Sequence, residues 1–333
     1  MTDATDQRAL VLFPGALGDF VCFLPTLRLL AQAASVDLFA RSEFADLAPE
    51  SVRVRSLERY EINRLFVCGA AAEDKLRVFF SRYASVYSWM GSSRRQFVRQ
   101  LQDLCQGRAH IFPFQPELSG RHQSEYYLTC IGCRNSPVPQ ISLKPQAMAW
   151  SAAYWARHTL EGSQVLTVAP GSGAKEKNWP LLSFAAVIGW WREQIGGEAV
   201  VVLGPVEEER GGLEPILRPG CKVARGLSLA ELAAIIARSD LYLGNDSGIT
   251  HLAAALGTPT LALFGPSDVQ KWRPQGERVR VIRRAVECAP CAIAVMKACR
   301  HRTCLCALEP AEVIQQLQAM LGRSHLDKWG GRD

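Results

Sequence analysis

Three short stretches gather the residues whose types and spacing could do chemistry. Asp240–Pro266 reads DLYLGNDSGITHLAAALGTPTLALFGP: a strand end (Asp240–Leu243), a tight loop, a short Ala-rich helix and a further strand (Thr260–Phe264). Asn245-Asp246-Ser247-Gly248 combines turn-forming with helix-starting residues. The helix over Ile249–Leu256 is closed by Gly257, with Pro259 just beyond. Small residues opening a helix leave backbone N–H groups at the positive end of its dipole, which can hold a phosphate. Asp246 or Ser247 could equally be a plain N-cap. A second stretch, Pro170–Pro180 (PGSGAKEKNWP), has glycines that permit close backbone approach and two cations, Lys175 and Lys177. An ordinary exposed strand-to-helix loop would look the same. In the third, Phe13–Asp19 (FPGALGD), Asp19 stands where a Gly-rich loop meets a helix. There it either complements the helix dipole or acts as a base at the carboxyl end of a strand. The loop is not G-x-G-x-x-G, so the dinucleotide signature is absent.

Other candidates carry plainer alternatives. Arg77, Arg82, Arg94, Arg95, Arg99 and Arg108 face one acid, Asp103, within their run. Such a run is usually a solvated face. It is also a surface for a phosphorylated acceptor, since guanidinium pairs with phosphate in a planar fork; Arg94 and Arg95 are the candidates. His251, one turn into its helix, is expected to be packed or locally hydrogen-bonded and to help order the loop. Trp179 and Trp272 read as packing residues. Five of the eleven cysteines fall late in the chain, at 288, 291, 299, 304 and 306. A C-x-x-C with later cysteines can hold zinc or iron–sulfur, but this spacing fits no standard zinc pattern. Reduced thiols or local disulfides and no metal are expected, with Cys288, Cys291, Cys299 and Cys304 as the alternative cluster.

The elements that must position these residues alternate strand and helix. Ala9–Phe13 is an apolar strand, followed by the loop and a helix from about Phe20 to Ala34; Ser35–Ala40 and Val86–Trp89 are further strands. From Asp46 to Gln146 the pattern is otherwise hard to read. Asn135–Met148, with three prolines and little periodicity, is the expected linker. It divides the chain into 1–148 and 149–333. After a helix over Ala149–Glu161, strands at Gln164–Ala169 and Ala199–Leu203 flank a helix over Leu182–Ile195, and a short helix begins near Glu207. Ser228-Leu229-Ala230-Glu231 is a capping box for a helix ending at Arg238. A strand at Val279–Ile282, the Cys-rich segment 288–306 and a helix from Pro310 close the chain. This alternation predicts an α/β protein of two Rossmann-like halves.

Composition narrows the class. With 333 residues, 48% hydrophobic and 21% charged, the chain suits a soluble two-domain protein. A net charge of +6 is too slight to imply nucleic acid but suits an anionic substrate or membrane surface. The polar start MTDATDQ shows no export signal, which predicts a cytoplasmic setting.

Taken together, FPGALGD, PGSGAKEKNWP and NDSGITHLAAALGTPTLALFGPSD (Asn245–Asp268) resemble the heptosyltransferases, glycosyltransferase family 9, which build the inner core of lipopolysaccharide. The C-x-x-C segment resembles the cysteine-bearing tail of many members. The resemblance implies a GT-B fold: two Rossmann-like doubly wound domains facing across a cleft, acceptor side first and donor side second. It implies inverting transfer from a nucleotide sugar, typically ADP-heptose, to a lipopolysaccharide-type acceptor. Asp19 matches the candidate general base, Lys177 the lysine that meets the donor phosphates, and Asp246 the acid near the donor sugar. Ser247, Gly248 and Ile249 match the helix start that meets the diphosphate. Gly18, Ser172, Lys175 and His251 complete the expected donor set. The chain has no Asp-x-Asp, so leaving-group charge would fall to a helix dipole and cations rather than a metal, with no cofactor required. The expected partners are the nucleotide sugar and an anionic glycolipid, with peripheral contact at the inner membrane. A nucleotide-sugar epimerase, another donor, a protein acceptor and a non-catalytic nucleotide-sugar binder are the competing readings.

Overall fold

The computed structural model describes residues 7–69, 71, 73–116, 120–217 and 220–329, with side chains as far as 322; the polar start at residues 1–6 lies outside them. The chain divides into two compact units, Met1–Pro139 and Gln140–Asp333. The division falls inside the proline-rich stretch, earlier than the expected 148. The helix expected from Ala149 already starts at Pro145, because proline's fixed φ and missing N–H suit the first helical position.

Unit 1 is a five-stranded parallel sheet in the order β3-β2-β1-β4-β5, formed by β1 (Arg8–Leu12), β2 (Ser35–Ala40), β3 (Val52–Ser56), β4 (Ser85–Ser88) and β5 (Ala109–Ile111). The strand order reverses at β1, between β2 and β4. The central strands are near-continuous apolar runs, as burial on both faces requires. β3 and β5 escaped the sequence reading for the opposite reason. They are edge strands, and β3 (VRVRS) alternates buried valine with arginine. The core of the unit runs from Leu10 and Leu12 through Phe39, Phe80 and Phe97.

Unit 2 is a six-stranded sheet in the order β11-β10-β9-β6-β7-β8, all neighbours parallel. Its strands are β6 (Val165–Ala169), β7 (Glu198–Leu203), β8 (Lys222–Arg225), β9 (Leu241–Asn245), β10 (Thr260–Phe264) and β11 (Val279–Arg283). β6 and β9 are neighbours though far apart in sequence, so the winding reverses between them. Doubly wound sheets open a ligand crevice at the carboxyl ends of strands flanking such a reversal. The helix Leu181–Trp190 ends in a π turn, Trp191–Ile195, which turns the buried Trp191 indole N–H onto the Glu198 carbonyl at 3.1 Å. The two sheets are two doubly wound α/β units of the GT-B type. Among the described residues no helix is long and apolar enough to cross a membrane.

Candidate active site

In unit 1 the Phe13–Asp19 loop leaves β1 at the sheet's reversal point. A Cβ on Gly15 would come within 2.5 Å of the Phe13 ring and 2.7 Å of the Asp19 Cβ, so only glycine lets the chain fold this tightly. The loop rests on packed rings. Phe13 stacks on Phe23 at 4.3 Å between centroids, and Phe23 meets Trp89 and Tyr127 edge-on. Asp19 is the third residue of the Leu17–Ala33 helix. Its Oδ2 accepts from the Ala16 N–H at 3.2 Å, and its Oδ1 accepts from Gln115 Nε2 at 2.8 Å. The capping role therefore coexists with partial exposure at the helix start that follows β1. Burial first, and the Asp19 charge second, push the Tyr127 phenol well above its usual range, so it stays protonated beneath the loop. Gly18 lies in this unit, one residue before Asp19. Arg94 and Arg95 are exposed at the start of the Arg95–Cys105 helix, with Arg94 over the Phe66 ring at 5.7 Å. Neither has a carboxylate partner among the described residues.

In unit 2 the two sequence-predicted loops follow the adjacent strands β6 and β9, and the reversal between those strands brings them together. Lys177 Nζ donates to Asp246 Oδ2 at 2.7 Å, the side chains being 28% and 6% exposed. Asn245, fully buried, staples the loops. Its Oδ1 accepts from the Trp179 N–H at 2.9 Å and its Nδ2 donates to the Pro170 carbonyl at 2.7 Å. Thr250, also buried, donates to the Asn245 carbonyl and lies within hydrogen-bond distance of the Tyr242 and Ser247 hydroxyls, at 3.1 and 3.2 Å. The helix Gly248–Ala255 begins beside Asp246. The N–H groups of Ser247, Gly248 and Ile249 meet no acceptor among the described residues, and all three residues are partly exposed. Free amides at the positive end of a helix, with a cation beside them, are chemically suited to an anion.

The remaining predicted residues fall around this centre. The Ser172 hydroxyl is engaged within its own loop, sharing its one proton between the Ala174 carbonyl (2.7 Å) and Asn178 Oδ1 (2.6 Å). It shapes the turn rather than offering a free hydroxyl. Lys175 is exposed and apart from the Lys177–Asp246 pair. His251 is buried on the helix, as expected of a packed histidine. Trp179 is 1% exposed, edge-on to Phe184, with its indole N–H on the Leu308 carbonyl at 3.0 Å. The thiols of the alternative cluster lie near one another: after burial, the Cys291, Cys288 and Cys299 charges push the Cys304 thiol up. Among the described residues no group of three or more His, Cys, Asp or Glu is placed to hold a metal. Cys304 is drawn into the core with Leu305, while Cys288 is exposed. All eleven cysteines are free thiols, and burial pushes those of Cys291 and Cys304 up, away from thiolate.

Asn245, Thr250 and Glu207 were not singled out from the sequence. Asn245 sits in a turn-like NDSG but is the last residue of β9, and only the tertiary pairing shows its load. Glu207 looked like a helix start. Its Oε2 accepts from the Gly204 N–H at 3.0 Å, and its Oε1 lies where a Cβ on Gly171 would be, 2.0 Å away. A carboxylate beside a phosphate-type loop, at the next strand's carboxyl end, is where doubly wound folds bind ribose hydroxyls.

Residues 123–300 match the model of glycosyltransferase family 9 (heptosyltransferase). The chain belongs to that family. It is 35% identical over 102 residues to lipooligosaccharide heptosyltransferase 2 of Campylobacter jejuni, a match covering 30% of this chain and 31% of that protein. The chain spans less than half the length of the first curated relatives it matches. Among solved structures it resembles a family 9 glycosyl transferase of Veillonella parvula (TM-score 0.77, 18% identity, 96% and 98% of the two chains). It also resembles the ADP-heptose lps heptosyltransferase II of E. coli (TM-score 0.70, 18% identity, 96% and 100%).

Proposed function

We propose that the protein is an inverting, metal-independent glycosyltransferase that moves a sugar, heptose from ADP-heptose, onto a lipopolysaccharide-core or related glycolipid acceptor. One observation carries the reading: the Ser247, Gly248 and Ile249 amides, without acceptors among the described residues, beside the Lys177–Asp246 pair at the unit 2 reversal point. Amide dipoles and a lysine there would take up the charge that grows on a departing diphosphate, with no metal or other cofactor required. Family membership and the likeness to the E. coli ADP-heptose lps heptosyltransferase II support ADP-heptose as donor. The name of the C. jejuni relative supports the acceptor class.

Asp19 is the general base. It removes the acceptor hydroxyl proton as that oxygen attacks the anomeric carbon, the bond from that carbon to the diphosphate oxygen breaks, and configuration inverts. Lys177 and the helix amides hold the diphosphate, Asp246 orients Lys177 and faces the sugar, and Glu207 is the ribose acceptor. Gly18, Ser172, Lys175 and His251 shape the surrounding surface, and Arg94 and Arg95 offer guanidinium to an anionic acceptor. A cytoplasmic enzyme in peripheral contact with the inner membrane is the setting this implies. The test is a thermal-shift screen of ADP-, UDP- and GDP-sugars, followed by product analysis with and without glycolipid. Selective stabilisation by ADP-heptose and acceptor-dependent release of ADP are expected. Donor conversion without acceptor would replace transfer by epimerisation.

A further inference from the structure

A second basic pocket lies in unit 2, outside the Lys177–Asp246 centre. It has a volume of about 740 Å³ and is lined by Lys175, Lys297, Arg300 and Arg302 against a single acid, Glu176. Lys177, Asp246 and the helix amides are not among its walls. Lys175, Lys297 and Arg300 have no carboxylate partner among the described residues. Arg302 is fixed in place. Its backbone is left-handed at φ 44°, and its Nη1 donates to the carbonyls of Lys175 and Asn178 at 3.3 Å each, tying the lysine turn to the Cys-rich segment. From Cys288 to Leu308 the sequence contains no Asp or Glu. Converging cations that no internal acid neutralises suit an anion with several oxygens.

Exposure decides between a free phosphate and one borne on a surface. The short helix Ile293–Ala298, whose last residues wall the pocket, holds Ile293 and Val295 at 70% and 57% exposure. A free anion needs only the cations. Branched aliphatic side chains standing in water beside those cations match a bilayer interface, where phosphates lie directly above acyl chains. We propose that this corner of unit 2 docks on an anionic phospholipid surface, with the pocket taking headgroup phosphate and Ile293 and Val295 entering the interface. The inference gives residues to the peripheral contact invoked above but does not need the transfer reaction, since vesicle binding requires neither donor nor acceptor.

The test is co-sedimentation of the full chain with vesicles of phosphatidylglycerol and phosphatidylcholine in equal parts, against phosphatidylcholine alone. Binding to the anionic vesicles only is expected. Each cation near such a surface contributes roughly fivefold in partition, so the pair Lys297→Gln and Arg300→Gln should weaken it roughly thirtyfold. Ile293→Ser with Val295→Ser should weaken it on the same vesicles. Both pairs should leave the ADP-induced thermal shift unchanged, which certifies the fold. No preference for anionic vesicles, or vesicle binding by the charge variant equal to that of the parent, overturns the proposal. Inorganic pyrophosphate binding that is lost in the charge variant, with vesicle binding unaffected by the serine pair, also overturns it and marks a free-phosphate site.

Discussion

The base role proposed for Asp19 and its capping bond can be separated by substitution. Asp19→Asn keeps an oxygen for the Ala16 N–H but cannot take a proton, whereas Asp19→Ala loses both functions. Turnover should fall roughly 10²–10⁴-fold in either variant, while only the alanine variant loses about 1 kcal/mol of stability from the missing cap. Donor affinity should hold in both, and near-parental turnover of Asp19→Asn would remove Asp19 from the chemistry. Lys177→Ala would remove the cation proposed for the diphosphate and leaves Asp246 buried without this partner. A charged hydrogen bond contributes about 1.5–3 kcal/mol, so donor affinity should drop roughly tenfold to a hundredfold by titration calorimetry. An unchanged affinity would shift the phosphate site elsewhere. His158 offers a stability readout. Burial, then the Arg157 and Lys222 charges, lower its pKa in the folded state. The unfolded chain then binds the extra proton, so the penalty is absent above the unfolded value near 6.5 and grows as pH falls through it. The loss of melting temperature below that pH should be smaller in His158→Gln than in the parent.

At the scale of elements, what was legible followed from periodicity and punctuation. Strands buried on both faces, such as β6 and β10, announce themselves as apolar runs. The Ser228–Glu231 capping box also appears as read, with Ser228 N–H on Glu231 Oε2 at 2.8 Å and the reciprocal bond at 3.3 Å. Edge strands β3, β5 and β8 were not legible, because a strand exposed on one edge needs little apolar sequence. The loops were found but not their coupling. Nothing local marks Asn245 as a staple between segments that meet only because β6 and β9 are neighbours. Its side chain has no water to fall back on, so Asn245→Ala should cost about 2–4 kcal/mol and raise KM for the donor. A variant with parental melting temperature and KM would mean that the loops are held by other contacts.

At the scale of the molecule, one hydrophobic core, Leu10–Cys105, lies in unit 1 and another, Leu166–Met320, in unit 2. Ligand bound to one core stabilises that core by mass action, about 2.7 kcal/mol at a hundredfold excess over Kd. ADP should therefore raise a calorimetric transition belonging to unit 2 and leave that of unit 1 in place. A single transition that moves as a whole would show the two cores to be thermodynamically one. The staple at Asn245 has a further consequence for turnover. Both phosphate loops are already held in one geometry by buried bonds, so little ordering remains for the sugar to drive. A socket assembled in advance grips the spent nucleotide nearly as well as the donor. Product inhibition should then be strong, with ADP competing against the sugar donor at a Ki close to the donor's own Kd. Steady-state cycling would be limited by the nucleotide leaving rather than by glycosyl transfer.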